Sequence, residues 1–163
     1  MTFGSLDFLI QRCEEHLDKT GMRSTEIESY FVQYLLVRIW AEYETRIATL
    51  VHRRCSRSRD KHLRSFAQGQ AKIVAKNFKV SDIAGILGRF GEDYKLAFHT
   101  QVMSDTRHVA WSNIYTNRMA VAHGVGAQMS FGDLKKDYQE SRSLFDALAV
   151  ALNLKAREMR GLK

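Results

Sequence analysis

The sequence predicts an all-α domain of about five to six helices packed around one long central helix. Three observations carry that expectation. Proline, the residue that breaks helices most severely, is absent from all 163 residues, while helix formers are plentiful. Successive segments place apolar residues at i, i+3, i+4 and i+7, the spacing of one helix face. No segment carries a strong alternating pattern of the kind that marks a half-buried strand. The length suits a single domain over residues 1–163, and no repeat, low-complexity linker or composition shift divides it.

The first helix is expected over Ser5–Thr20, where Leu6, Leu9, Ile10, Cys13 and Leu17 share a face and Gly21 ends the run. A much longer helix starts at Ser24 or Thr25, with Glu28 completing a capping-box spacing from Thr25. From Tyr30 to Trp40 apolar residues cover more than one face, which marks this helix as the central one. Phe66–Phe78 reads as a further helix that tolerates Gly69, and Ser81 caps a short one ending at Leu87. Gly88 and Gly91 punctuate the chain before a helix over Glu92–Met103. Ser104 or Asp105 caps the next helix, in which Trp111, Ile114, Tyr115, Arg118 and Ala122 fall on one face. After Gly124 and Gly126, Ser130 with Asp133 caps a last helix running to about Leu154.

Charge narrows the partners. The chain has 25 Lys and Arg against 18 Asp and Glu, a net charge of +7, which favours polyanions and makes nucleic acid the first candidate. Most of that excess sits in His52–Arg64, HRRCSRSRDKHLR. There Arg53, Arg54, Arg57, Arg59, Lys61 and Arg64 form a candidate phosphate-contacting patch, against the simpler reading of a solvated helix end and loop. Cys13 and Cys55 lack CxxC or ligand spacing, and His52 and His62 lack companion ligands, so no disulfide framework, metal site or cofactor is indicated. No signal-peptide pattern and no apolar run of membrane-spanning length is present, so a cytoplasmic protein without a membrane partner is expected.

The stretch with most chemistry is Asn117–Gly126, NRMAVAHGVG, and within it Arg118 and His123. Arg46 with His52 and Arg57 with His62 show comparable spacing, so spacing alone is weak evidence. Context separates Arg118/His123 from them. Its spacers are small or apolar, an amphipathic run precedes it, and Gly124 follows as at a helix end. Arg118 interrupts an apolar stripe; the ordinary explanation is a stem laid on the core with its head in water, or a pair with a buried carboxylate. Five residues rotate His123 by roughly 140° from Arg118 on a straight helix, so the two converge only where the helix ends between them or where two copies meet.

The segment RMAVAHG, residues 118–124, resembles the R-x-x-x-A-H-G signature of the HEPN superfamily, most like its RiboL-PSP branch. Residues 80–98, VSDIAGILGRFGEDYKLAF, and 130–138, SFGDLKKDY, are similar to the segments that flank the motif in such domains. The resemblance implies a HEPN-like bundle and a metal-independent endoribonuclease working as a homodimer with a composite cleft. It also implies a toxin–antitoxin or phage-defence setting, with a cognate antitoxin as partner. Glu44 corresponds to a glutamate often seen in the equivalent helix of the family, with Glu42 as its competitor and a charge ladder with Arg46 or Arg38 as the plainer explanation.

RNA carries its own nucleophile, the 2′-hydroxyl. Cleavage then needs a base for that proton, an acid for the leaving 5′-oxygen and positive charge at the phosphorus. His123 suits proton transfer near neutrality, and Arg118 suits bidentate phosphate binding. One histidine cannot be acid and base together, whereas a two-fold dimer supplies two. Asn117 and Asn113, on the polar side of the same helix, are candidates to orient phosphate or ribose. The alternative is a HEPN-like module that binds RNA, a nucleotide or a protein partner without cleaving; Met119, where the family often has a polar residue, favours it.

Overall fold

The computed structural model describes residues 3–74, 78–102 and 106–154, without the side chains of 71–74, and these residues form eight helices and no strand. In chain order they are α1 (Gly4–Thr20), α2 (Glu26–Cys55), α3 (Lys61–Val74), α4 (Val80–Gly88), α5 (Glu92–Val102), α6 (Thr106–Ala122), α7 (Phe131–Ser141) and α8 (Leu144–Ala151). The domain is all-α, and α2, at 30 residues, is its central helix: α1, α3, α6, α7 and α8 all pack on it.

Aromatic residues build the core where these helices meet. Tyr43 of α2 stacks on Trp111 of α6 with centroids 4.7 Å apart, and Phe145 of α8 closes edge-on against Tyr43 at 5.1 Å. The Tyr43 hydroxyl shares a buried 2.6 Å hydrogen bond with Ser141 Oγ, so the phenol is satisfied, and burial pushes its pKa up. Arg46 is buried as well, its guanidinium 3.7 Å over the Phe3 ring and its Nε donating to Glu42.

Several boundaries differ from the sequence expectation, each for a local reason. The expected last helix is two, because the Ser141 and Ser143 hydroxyls bond back to the carbonyls of Tyr138 and Glu140 and a turn at Arg142–Ser143 intervenes. α3 starts at Lys61 rather than Phe66, since the Asp60 carboxylate accepts the N–H groups of His62 and Leu63. α4 starts at Val80, with Asp82 reaching back to the Lys79 N–H, so Ser81 lies inside the helix and is not its cap. Thr25 does precede α2, but its hydroxyl donates to Met22 O and forms no box with Glu28. Glu28 instead accepts from Ser24 N–H at 2.6 Å and from Phe131 N–H at 2.9 Å, so one carboxylate caps the starts of α2 and α7 together. The expected cap of α6, at Ser104 or Asp105, lies outside the described residues.

Candidate active site

α6 ends as its sequence predicts, and the ending presents His123. Gly124 takes φ +75°, its N–H bonds to Val121 O at 3.1 Å, and Val125 N–H bonds to Ala120 O at 2.9 Å. These two bonds are a Schellman ending, with His123 at the C-cap and its ring exposed.

The loop that follows is fastened to the helix. Asn117 Oδ1 accepts the Gln128 N–H at 2.7 Å, while its amide donates to Asn113 O at 3.0 Å. One side chain thus fixes both the last turns of α6 and the strap of residues 124–128. Asn113 hydrogen-bonds Asp137 of α7, whose carboxyl is pushed above the usual carboxylate range by burial. Asn113, Asn117, Gln128 and Asp137 share a polar cleft of about 310 Å³ between α6 and α7. The two asparagines chosen as support therefore do meet, in a cleft beside the motif.

Arg118 is half-buried, and its Nη1 lies 3.2 Å from the Met119 sulfur. A thioether is a weak acceptor, so this contact positions the guanidinium without neutralising it. Among the described residues Arg118 has no carboxylate partner, and the His123 ring has no hydrogen bond. The buried ion pair that would have explained Arg118 as ordinary structure is missing there. The competing pair Arg46/His52 is different, because Arg46 is sealed on Phe3 and Glu42.

Helix direction decides the remaining candidates. Trp40 of α2 contacts both Trp111 and Tyr115, while Tyr43 contacts Trp111, so α2 and α6 run antiparallel. Glu44 lies further along α2, away from Arg118, and accepts the Trp40 indole N–H at 2.9 Å. On this packing it sits on the side of the crossing away from the motif. The basic residues lie further still. From the crossing, Arg54 is about 14 residues along α2 and His123 about ten residues along α6 in the opposite direction, roughly 36 Å end to end at 1.5 Å per residue.

The basic run is not a single loop. Arg53 and Arg54 belong to the last turn of α2, Arg57 and Arg59 to the bend, and Lys61 and Arg64 to the first turn of α3. Arg54 donates to the Tyr94 hydroxyl and lies over its ring, a contact that joins α2 to α5 and lowers the phenol's pKa. Arg64 reaches Ser58 O at 3.5 Å. Arg57, Arg59 and Lys61 are the exposed cations of the patch. No group of three or more His, Cys, Asp or Glu with metal-binding geometry occurs among the described residues, and no described helix is long and apolar enough to cross a membrane.

No protein-family model, curated protein or solved structure matches this chain.

One feature near the motif was not singled out from sequence. Ile27, Tyr30, Tyr34 and Val37 recur along α2 at i, i+3, i+7 and i+10, and all four are exposed. The antiparallel pairing puts this stripe at the same end of the bundle as His123. The signal was visible as apolar residues on more than one face of α2, which sequence alone assigns to burial.

Proposed function

We propose that the chain is a metal-independent endoribonuclease of HEPN type, with Arg118 and His123 from two protomers forming one cleft. The observation that carries this reading is a half-buried guanidinium without a carboxylate among the described residues, one turn before an exposed imidazole held at a capped helix end. A guanidinium not neutralised by a carboxylate, beside an exposed imidazole, is suited to an anion.

In this reading, Arg118 holds the scissile phosphate and stabilises its developing charge. One His123 takes the 2′-hydroxyl proton, and its two-fold mate protonates the leaving 5′-oxygen, giving a 2′,3′-cyclic phosphate and a free 5′-hydroxyl. Asn117 acts by positioning, since its carboxamide oxygen is spent on Gln128. The exposed stripe on α2 supplies an apolar face for a second copy at the motif's end of the molecule. The basic patch, at the far end, guides RNA by charge and does not touch the scissile phosphate of its own protomer.

A second reading is favoured by Met119. The thioether beside Arg118 replaces a polar neighbour that would help handle charge, which suits RNA binding without cleavage. A toxin or phage-defence role, a cytoplasmic location and a cognate antitoxin follow from the HEPN reading and stand or fall with it. The test is RNA cleavage by wild type, Arg118→Ala and His123→Ala, with circular dichroism to check folding. Loss of cleavage in both folded variants supports the nuclease. RNA binding by a wild type that never cleaves supports the binding module.

A further inference from the structure

α3 carries Leu63, Phe66 and Ala67 at i, i+3 and i+4, the apolar face of an amphipathic helix. α1 buries its matching face, Leu6, Ile10, Cys13 and Leu17, whereas Leu63 is 58% exposed and Phe66 65%. α3 is tied to α2 through its polar side, where Gln68 Nε2 donates to Ser56 Oγ at 3.0 Å and lies 3.3 Å from His52 Nε2. Its apolar side looks onto an open groove of about 370 Å³. Ligand sites commonly span about 300–1,000 Å³, so the space suits a small molecule.

The groove is apolar below and at its sides. Val51 and Cys55 of α2 and Ile86 of α4 form a floor almost closed to solvent, and Leu63 and Phe66 of α3 with Phe90 of the α4–α5 turn form the walls. Phe90 is fixed by that turn, its N–H donating to Leu87 O at 2.9 Å. The surface open to a ligand is therefore that of Leu63 and Phe66. Apart from the Cys55 thiol, the polar groups of the lining are the side chains of Arg89 and Gln70. Both are exposed, and among the described residues neither makes a side-chain hydrogen bond or ion pair. No carboxylate lines the groove, and Glu92, the acid nearest Arg89 in sequence, is bonded to Lys95 at 2.9 Å. One unpaired cation beside an apolar trough suits a ligand with one negative charge and an apolar tail.

We propose that this groove binds a fatty-acid-like carboxylate. The alkyl chain lies against Leu63, Phe66 and Phe90, and the carboxylate accepts from the Arg89 guanidinium and the Gln70 amide. Cys55 directly follows Arg54, at the end of α2 remote from His123, so this site is separate from Arg118/His123 and does not depend on the nuclease reading.

The test is calorimetric titration of the intact protein with decanoate, decanol, decyltrimethylammonium and butanoate, all below their micelle concentrations. Decanoate is expected to bind at one site per chain. The neutral alcohol, the cation and the short acid should each bind at least about tenfold more weakly, since each lacks the charge or the chain. Arg89→Gln should weaken decanoate about tenfold and leave decanol unchanged, and Leu63→Asp/Phe66→Asp, at two exposed positions, should abolish decanoate binding. Phe8→Ala/Arg12→Gln removes an exposed phenyl and arginine pair on α1 and should have no effect. The wild-type titrations decide the matter even if a variant misfolds. No decanoate binding, equal affinity for decanol or for the cation, or undiminished binding by a folded Arg89→Gln overturns the proposal. Vesicles of phosphatidylcholine and phosphatidylglycerol probe the other source of such chains: sedimentation of the protein with them, without decanoate binding, overturns the proposal and assigns α3 to a lipid surface.

Discussion

Asn117 Oδ1 accepts the Gln128 N–H at 2.7 Å, which fastens the loop after His123 to the helix that carries Arg118. The two proposed catalytic groups are thereby held in one frame, although neither touches the other.

Asn117→Ala should therefore loosen the strap without unfolding the domain. Loss of this hydrogen bond is expected to cost about 1 kcal/mol in urea unfolding. RNA cleavage should fall about tenfold or more, mainly in kcat, because misplacement of a proton-transfer group raises the barrier more than it weakens binding. Retained kcat would show that His123 does not rely on the strap.

Glu28 and Asp137 should give opposite pH dependences. Glu28 is held below the usual carboxylate range by the backbone N–H groups of Ser24 and Phe131, so its stabilisation is present above the unfolded-state pKa and is lost as pH falls through the folded one. Glu28→Ala should cost about 2 kcal/mol at pH 7 and progressively less as pH falls through the lowered folded-state pKa. Asp137 is pushed up by burial, so its contribution is present in acid and lost as pH rises through the folded pKa. Asp137→Asn should remove that loss and raise the melting temperature at pH 7 relative to wild type. Urea and thermal unfolding from pH 3 to 7 check both signs.

Much of this architecture was legible in the sequence because it is local. The spacing of Leu6, Ile10, Cys13 and Leu17 gives the buried face of α1, and Ser130 with Asp133 gives a cap that forms as written. His123-Gly124 marks the end of α6, and the structure realises it as a Schellman ending. What sequence did not reveal is set by tertiary geometry. Glu28 was paired with Thr25, three residues away, yet its second partner is Phe131, 103 residues away. Glu44 reads as a candidate support for the motif until the antiparallel packing of α2 on α6 carries it to the other side of the crossing. Arg54 looked free to meet phosphate and is instead bonded to Tyr94.

The separation of patch and motif predicts how substitutions divide. Arg59→Ala/Lys61→Ala should weaken RNA binding and lower the slope of log K against log salt by about 1.4, near 0.7 per lost phosphate contact on a single strand. The cleavage rate at saturating RNA should hold. Filter binding across a salt series together with single-turnover rates measures both; a fall in the saturated rate would place the patch at the chemistry.

The stripe on α2 predicts the assembly. Tyr34→Glu/Val37→Glu puts charge on two exposed positions, so the fold should persist while a homodimer dissociates. Sedimentation velocity should show a dimer for wild type and a monomer for the variant, with RNA cleavage lost in the monomer. An active monomer would rule out a cleft shared between two copies.

The central claim is tested most directly by the ends of the RNA fragments. Wild type and His123→Ala are incubated in EDTA with total RNA and with DNA of matched length. The account predicts cleavage of RNA alone, 2′,3′-cyclic phosphate at the new ends, and at least about a hundredfold loss in His123→Ala, the scale of one general acid–base group. RNA cut equally by His123→Ala, cleavage of the matched DNA, or new ends carrying 3′-hydroxyl groups would contradict it.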